Sequence, residues 1–260
     1  MELKNKVVIV TGGASGIGAA LARAFAAEGA AAVVAADLRL DGVPDGCEAR
    51  PCDVTREAEI EALVRETEDR HGRVDVFCSN AGVLTPGWDI READLAVWER
   101  DWKVNVLAHA AAARAVLPGM TARGEGYLLN TASAAGLLAA PESVVYTVTK
   151  HAAVALAEFL AFSYRRFGVR VSALCPMGVR TPMLENLDAT GASAGLDGVL
   201  GADEVAAAAI AGMREERFLI LPHPKVAAYW AQKAERHDRW LAAMEALQSL
   251  FTDAASPGRG

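Results

Sequence analysis

The feature that most constrains this chain is a run of four consecutive apolar residues, Val7-Val8-Ile9-Val10, followed at once by glycines and then by a helical pattern. A strand with one wet face alternates apolar and polar residues, so an unbroken apolar run calls for a strand covered on both sides. Strand-like runs recur at 7–11, 32–37, 47–53, 74–79, 127–131, 169–175 and 218–221, with helical patterns at 17–28, 57–71, 98–120, 144–166 and 202–216. This alternation predicts an α/β fold, a doubly wound parallel sheet of about seven strands with helices on both faces. Asp53 or Thr55 is the expected N-cap of the second helix, and Gly72 its C-terminal stop. No linker or repeat interrupts the order, so residues 1–222 read as one domain. Residues 223–260, with Tyr229, Trp230, Trp240 and Met244 in a charged segment after Pro222 and Pro224, read as a helical C-terminal extension of it with a frayed end.

With 260 residues, 52% of them hydrophobic, the chain can build a substantial core. A net charge of −7 and the lack of any Lys/Arg run exclude nucleic acid and anionic membrane surfaces as expected partners. The N-terminal apolar run is too short for a signal peptide, and the longest uncharged stretch, 126–141, is too short and too polar to span a bilayer; a cytoplasmic protein is expected. Cys47, Cys52, Cys78 and Cys175 form no CxxC pair, and His71, His109, His151, His223 and His237 are dispersed, so no metal site is expected.

After the first strand comes Thr11-Gly12-Gly13-Ala14-Ser15-Gly16-Ile17-Gly18, opening into a helix. Glycines permit the tight turn and let backbone approach a pyrophosphate, which then sits at the positive end of the helix dipole. Asp37 stands nineteen residues past Gly18, at the tip of the second strand. A carboxylate there accepts hydrogen bonds from the adenosine ribose hydroxyls and repels a 2′-phosphate, which favours NAD over NADP. Asp53-Val54 and Asn80-Ala81-Gly82 fall at the carboxyl ends of the third and fourth strands, the edge where open α/β sheets bind ligands.

Tyr146 and Lys150 are four residues apart in a helical pattern, so their Cβ atoms lie roughly 5–6 Å apart on one face. A tyrosine with a pKa of about 10 is a poor base at neutral pH, and a neighbouring ammonium favours its phenolate. Lys150 can also donate to the nicotinamide ribose hydroxyls. Ser133, just past the fifth strand, lies at the same ligand-binding edge, where its hydroxyl can stabilise charge on a substrate oxygen.

In their order, these motifs resemble the short-chain dehydrogenase/reductase superfamily, in its shorter single-domain branch, from about Asn5 to Met183. The resemblance implies a seven-stranded Rossmann-like sheet, a Ser133-Tyr146-Lys150 site supported by Asn105, and a homodimer or homotetramer built on the helices at 98–120 and 144–166. It assigns Asn105 a water that relays protons from Lys150, and puts Val179 and Thr181 near the nicotinamide carboxamide. The chain departs from the family pattern twice. The glycine usual after Pro176 is Met177, and the usual Asp-Gly-Gly after the last strand is replaced by Pro222-His223-Pro224.

The least regular segments, 84–88, 134–143 and 183–200, are apolar and poor in cations, with Trp88, Leu137, Leu138, Met183, Leu184 and Leu187 prominent. They predict an uncharged, moderately hydrophobic secondary alcohol or ketone as substrate, the net direction being open. The alternative is a non-catalytic NAD(H)-binding sensor on the same fold.

Overall fold

The computed structural model describes residues 1–185, Ser193 and residues 195–255. In chain order the elements are β1 (Val7–Thr11), α1 (Gly16–Ala27), β2 (Ala32–Asp37), β3 (Glu48–Pro51), α2 (Glu57–His71), β4 (Val76–Ser79), α3 (Leu95–Trp102), a π-helical segment (Lys103–Leu107) and α4 (Ala108–Arg123). There follow β5 (Gly126–Thr131), α5 (Val144–Tyr164), β6 (Val169–Leu174), β7 (Val179–Arg180), α6 (Pro182–Glu185), β8 (Leu200–Gly201), α7 (Ala202–Arg214), β9 (Leu219–Ile220), α8 (Lys225–Glu235) and α9 (His237–Ala255).

Seven strands form one parallel sheet in the order β3-β2-β1-β4-β5-β6-β9. The direction of winding reverses between β1 and β4, which opens a crevice at their carboxyl ends. The consecutive apolar residues of β1 divide between two cores. Ile9, with Phe77 and Leu128, packs against α2, α4 and α5 through Ile60, Met120 and Ala157, whereas Val8 and Val10 join Leu21, Phe25, Ile210 and Met213 of α1 and α7. Burial of a side chain such as Phe25 or Leu21 contributes about 1.5–3 kcal/mol, so both faces drive the fold.

Several boundaries differ from the sequence expectation. β3 is an edge strand of four residues rather than seven, because Asp53 turns the chain by accepting from the Thr55 amide and hydroxyl at 2.9 and 2.7 Å. That turn moves the N-cap of α2 to Arg56, displacing both Asp53 and Thr55; Gly72, at φ 79°, does close the helix. The helix expected over 98–120 begins at Leu95, capped by Asp94, and is interrupted by the π segment that holds Asn105. Such wide turns insert a residue and re-aim the side chains around it. The small β7–β8 pair was not anticipated. Helix α5 is long and apolar enough to cross a membrane by length and composition, but Thr149, Lys150, Ala153 and Ala157 are buried within the fold.

Candidate active site

The carboxyl ends of β1, β4 and β5 converge on one crevice, and hydrogen bonds fix its floor. The Thr11 hydroxyl donates to the Cys78 carbonyl and accepts from the amides of Asn80 and Ala81 at 3.0 and 3.2 Å, tying β1 to β4. The Asn80 side chain returns a bond to the Thr11 carbonyl. Gly18 is required by close approach, since a Cβ there would drive into the Gly12 carbonyl oxygen. At the start of α1 the Ser15 side chain makes no capping bond and no acid lies in the first turn. The leading amides of that helix therefore keep their positive end for an external anion.

Asp37 closes β2 beside this loop, accepting from the Ala14 amide at 3.0 Å and the Leu38 amide at 2.7 Å. Among the described residues it forms no ion pair, so the carboxylate keeps spare acceptor capacity. Asp53 and Val54 lie one strand further out and do not line the crevice; Val54 packs on the core.

The catalytic candidates meet on the other flank. Ser143 caps α5, accepting from the Tyr146 amide while donating to the Thr85 carbonyl at 2.6 Å, which sets where the helix starts and hence where Tyr146 points. Ser133 opens a short turn at Ala134–Gly136, its hydroxyl accepting from the Ala135 amide. Gly136 lets that turn press on α5, because a Cβ there would collide with the Lys150 carbonyl. Lys150 reaches back under the helix to donate to the Thr131 carbonyl at 3.1 Å, with its Nζ 5.5 Å from the Tyr146 ring centre. Asn105 spends its amide on Val83, accepting from its N–H and donating to its carbonyl, and on the Thr149 hydroxyl. A Cβ on Gly82 would lie 3.4 Å from both the Asn105 Oδ1 and the Lys150 Nζ, which places these two groups around one glycine.

Burial pushes the Tyr146 phenol up to about 12, while the Ser133 hydroxyl beside it draws the value down. Burial also pushes the Lys150 ammonium down to about 8. Desolvation of the phenolate is the largest influence on Tyr146, and the group that draws its value down is the Ser133 hydroxyl rather than the Lys150 ammonium expected from the sequence. The tyrosine holds its proton at neutral pH, and the lysine remains largely charged.

A cavity of about 530 Å³ runs from the glycine loop to this triad. Gly12, Ser15, Gly16, Ile17, Asn80, Ala81, Gly82, Ser133, Tyr146, Lys150, Val179 and Thr181 all line it. Thr11, Gly18, Asn105 and Asp37 stand behind or beyond its wall. Of the expected substrate residues, Leu138, Met183 and Leu184 line the cavity, Leu137 is instead buried in the core, Trp88 is half exposed outside it, and Leu187 lies outside the described residues.

Sequence reasoning missed two parts of the wall. Tyr229, Gln232, Trp240, Met244 and Leu247 of α8 and α9 complete the cavity, and these helices are pinned by Lys233 to the carbonyls of Leu137 and Leu138 and by Gln248 to that of Pro141. The aromatic residues embedded in a charged tail were the available signal. The second is Glu142, a buried acid in the lining and the only charge between Glu125 and Lys150 in sequence. The two departures from the family pattern meet one another: the Met177 amide donates to Nδ1 of buried His223 at 3.1 Å.

The family model described as short chain dehydrogenase matches residues 6–192, and the chain belongs to that family. It is 36% identical over 233 residues to a 1-deoxy-11-beta-hydroxypentalenate dehydrogenase of Streptomyces exfoliatus, an alignment covering 85% of this chain and 84% of the relative. It is 35% identical to momilactone A synthase of Oryza sativa subsp. japonica, covering 80% and 83% of the two chains. A short-chain dehydrogenase/reductase from Burkholderia phymatum, solved in complex with NAD, superposes with a TM-score of 0.83 at 30% identity, over 92% of this chain and 96% of that one. The family and the parallel sheet expected from the sequence are therefore both found.

Proposed function

We propose that this protein is an NAD(H)-dependent oxidoreductase that moves a hydride between nicotinamide and an uncharged, moderately hydrophobic secondary alcohol or ketone. The observation that carries the proposal is the joining of two sites in one cavity: an uncapped helix N-terminus in a glycine cradle at one end, and Ser133, Tyr146 and Lys150 at the other. The glycine cradle fits a pyrophosphate, and the unpaired Asp37 carboxylate at the end of β2 fits ribose hydroxyls and disfavours a 2′-phosphate. Asn80, Ala81 and Gly82 belong to the adenine and ribose side of this reading and Val179 and Thr181 to the nicotinamide side, whereas Asp53 and Val54, outside the cavity lining, act on the cofactor only through the backbone of the β3 turn. The NAD named for the Burkholderia phymatum protein supports the choice of cofactor.

A bound nicotinamide supplies the hydride donor or acceptor. The chain supplies the proton and the positioning. Tyr146, protonated at neutral pH, gives its proton to a carbonyl oxygen as that oxygen gains charge, and takes it back in the reverse direction. The Ser133 hydroxyl hydrogen-bonds the same oxygen. Lys150 holds a positive charge below both and donates toward ribose hydroxyls, and Asn105 fixes the Val83 backbone and Thr149 around it. Apolar Leu84, Leu138, Met183, Leu184 and Met244 exclude water from the reacting carbon.

Residues 1–222 form the catalytic domain in this reading, and 223–260 an extension whose helices wall its cavity. Phe159 and Phe162, 58% and 69% exposed on α5, with Leu107 in the π segment, supply an apolar face for a homodimer or homotetramer. The non-catalytic reading has no observation in its favour.

Titration with NAD and NADP, followed by turnover of a panel of secondary alcohols and ketones at the nicotinamide absorbance, tests the proposal. NAD should be preferred, and Asp37→Ala should relax the preference. An NADP preference in the parent protein, or inactivity across the panel, would overturn it.

A further inference from the structure

Glu142 is out of character with the cavity it lines. Its side chain is 7% exposed, in a wall otherwise dominated by Leu138, Pro141, Met183, Leu184 and Met244. A carboxylate taken out of water is costly unless paired, and its two oxygens offer about four acceptor sites. Glu142 has no ion pair among the described residues, and the sequence from 186 to 194 contains no Lys, Arg or His to provide one. Among the described residues its side-chain partner is the Ser193 hydroxyl, at 2.6 and 2.7 Å from the two oxygens, and its own backbone amide also favours the charged form. One hydroxyl proton can satisfy only one of the two oxygens.

The other acid of this wall is treated differently. Asp197 is matched by Lys225 at 2.7 Å and by the Tyr229 hydroxyl at 3.2 Å, so its charge is neutralised within the protein. Glu142 is also held firmly where it is: its carbonyl accepts from the Gly87 amide at 2.9 Å, and the next residue, Ser143, caps α5. It stands four residues ahead of Tyr146 and close enough for its charge to oppose ionisation of that phenol, with burial raising its own pKa. Among the described residues, Glu142 is a rigid, buried acceptor with spare capacity, facing the same cavity as the reacting hydroxyl and suited to a donor from the ligand.

We infer that Glu142 reads a second hydroxyl group on the substrate, so that the preferred class is a diol, or the matching hydroxyketone, on a hydrophobic skeleton. The inference rests on the reading of the cavity as the alcohol site. A site built to bond a hydroxyl rejects the analogue that lacks it, because its buried acceptor is left unpaired. A charged hydrogen bond of this kind corresponds to about a 10- to 100-fold preference.

Binding of cyclohexanol and of the cis and trans cyclohexane-1,2-diols to the NAD-loaded protein, measured by calorimetry in a Tyr146→Phe background so that nothing is consumed, tests this. One of the diols should bind about 10- to 100-fold tighter than cyclohexanol. Glu142→Ala should bring that diol down to the level of cyclohexanol, and Glu142→Gln, which keeps one acceptor oxygen and the same shape, should retain part of the preference. Equal binding of all three compounds, including no binding, overturns the inference, as does a Glu142→Ala protein that weakens all three alike. Turnover of the same compounds by the parent enzyme separates the two claims. Selective diol binding without hydride transfer leaves the role of Glu142 standing and removes the dehydrogenase reading; equal oxidation of all three does the reverse.

Discussion

Replacing Lys150 by methionine should make the protein more stable while abolishing its activity. Lys150 is 3% exposed and its ammonium is displaced from the ordinary 10.5 to about 8 by burial. At pH 7 the group is protonated in both folded and unfolded chains, so the difference measures what burying the charge costs, about 3 kcal/mol at 1.36 kcal/mol per pKa unit. Methionine fills the same unbranched path without a charge. It leaves the Thr131 carbonyl without its donor, which costs about 1 kcal/mol. The net expectation is a gain of about 2 kcal/mol, or a Tm higher by roughly 4–8 °C for a chain of this size. Urea unfolding at pH 7 reads the gain. A pH series gives the sign independently: between about 8 and 10.5 the unfolded chain binds more protons than the folded one, so wild-type stability should receive a rising contribution there that Lys150→Met lacks. A variant no more stable than wild type at pH 7, with the same pH dependence, would refute the argument that this charge is held at the expense of the fold.

Two further outcomes follow from packing and exposure. Gly136→Ala should destabilise the fold by about 1–3 kcal/mol and lower turnover, because the new methyl displaces the Ser133 turn from the Lys150 carbonyl; thermal unfolding and steady-state rates check both. Light scattering coupled to size exclusion should show a dimer or tetramer, and Phe162→Glu should split it; a monomeric parent protein would contradict the assignment of the α5 face.

The sheet was legible because each strand carries its own signal. The unbroken apolar runs of β1 and β4 report burial on two faces, and the glycine loop marks the first crossover. Tyr146, Lys150 and Ser133 could be placed because they sit at fixed offsets from strand ends and helix turns, which local sequence encodes. What sequence concealed was non-local. The π segment at Asn105 arises from one extra residue in an otherwise helical pattern, with no punctuation to announce it. Asp53 was legible as a turn residue, yet which of three neighbours caps α2 depended on Thr55 claiming its carboxylate. The contribution of Trp240 and Met244 to the cavity depends on α8 and α9 folding back over a loop roughly a hundred residues earlier, anchored by Lys233 and Gln248. The balance of desolvation against charge at Tyr146 depends on burial, which spacing alone does not set.

The most direct test of the central claim is turnover by Tyr146→Phe, measured at the nicotinamide absorbance beside NADH binding followed by fluorescence. Loss of the phenol hydroxyl removes the proton that accompanies hydride transfer, so turnover should fall by about 10²–10⁴-fold or more while NADH still binds. Turnover at the wild-type rate with bound NADH would show that the proton travels by another group, and would contradict the assignment of Tyr146.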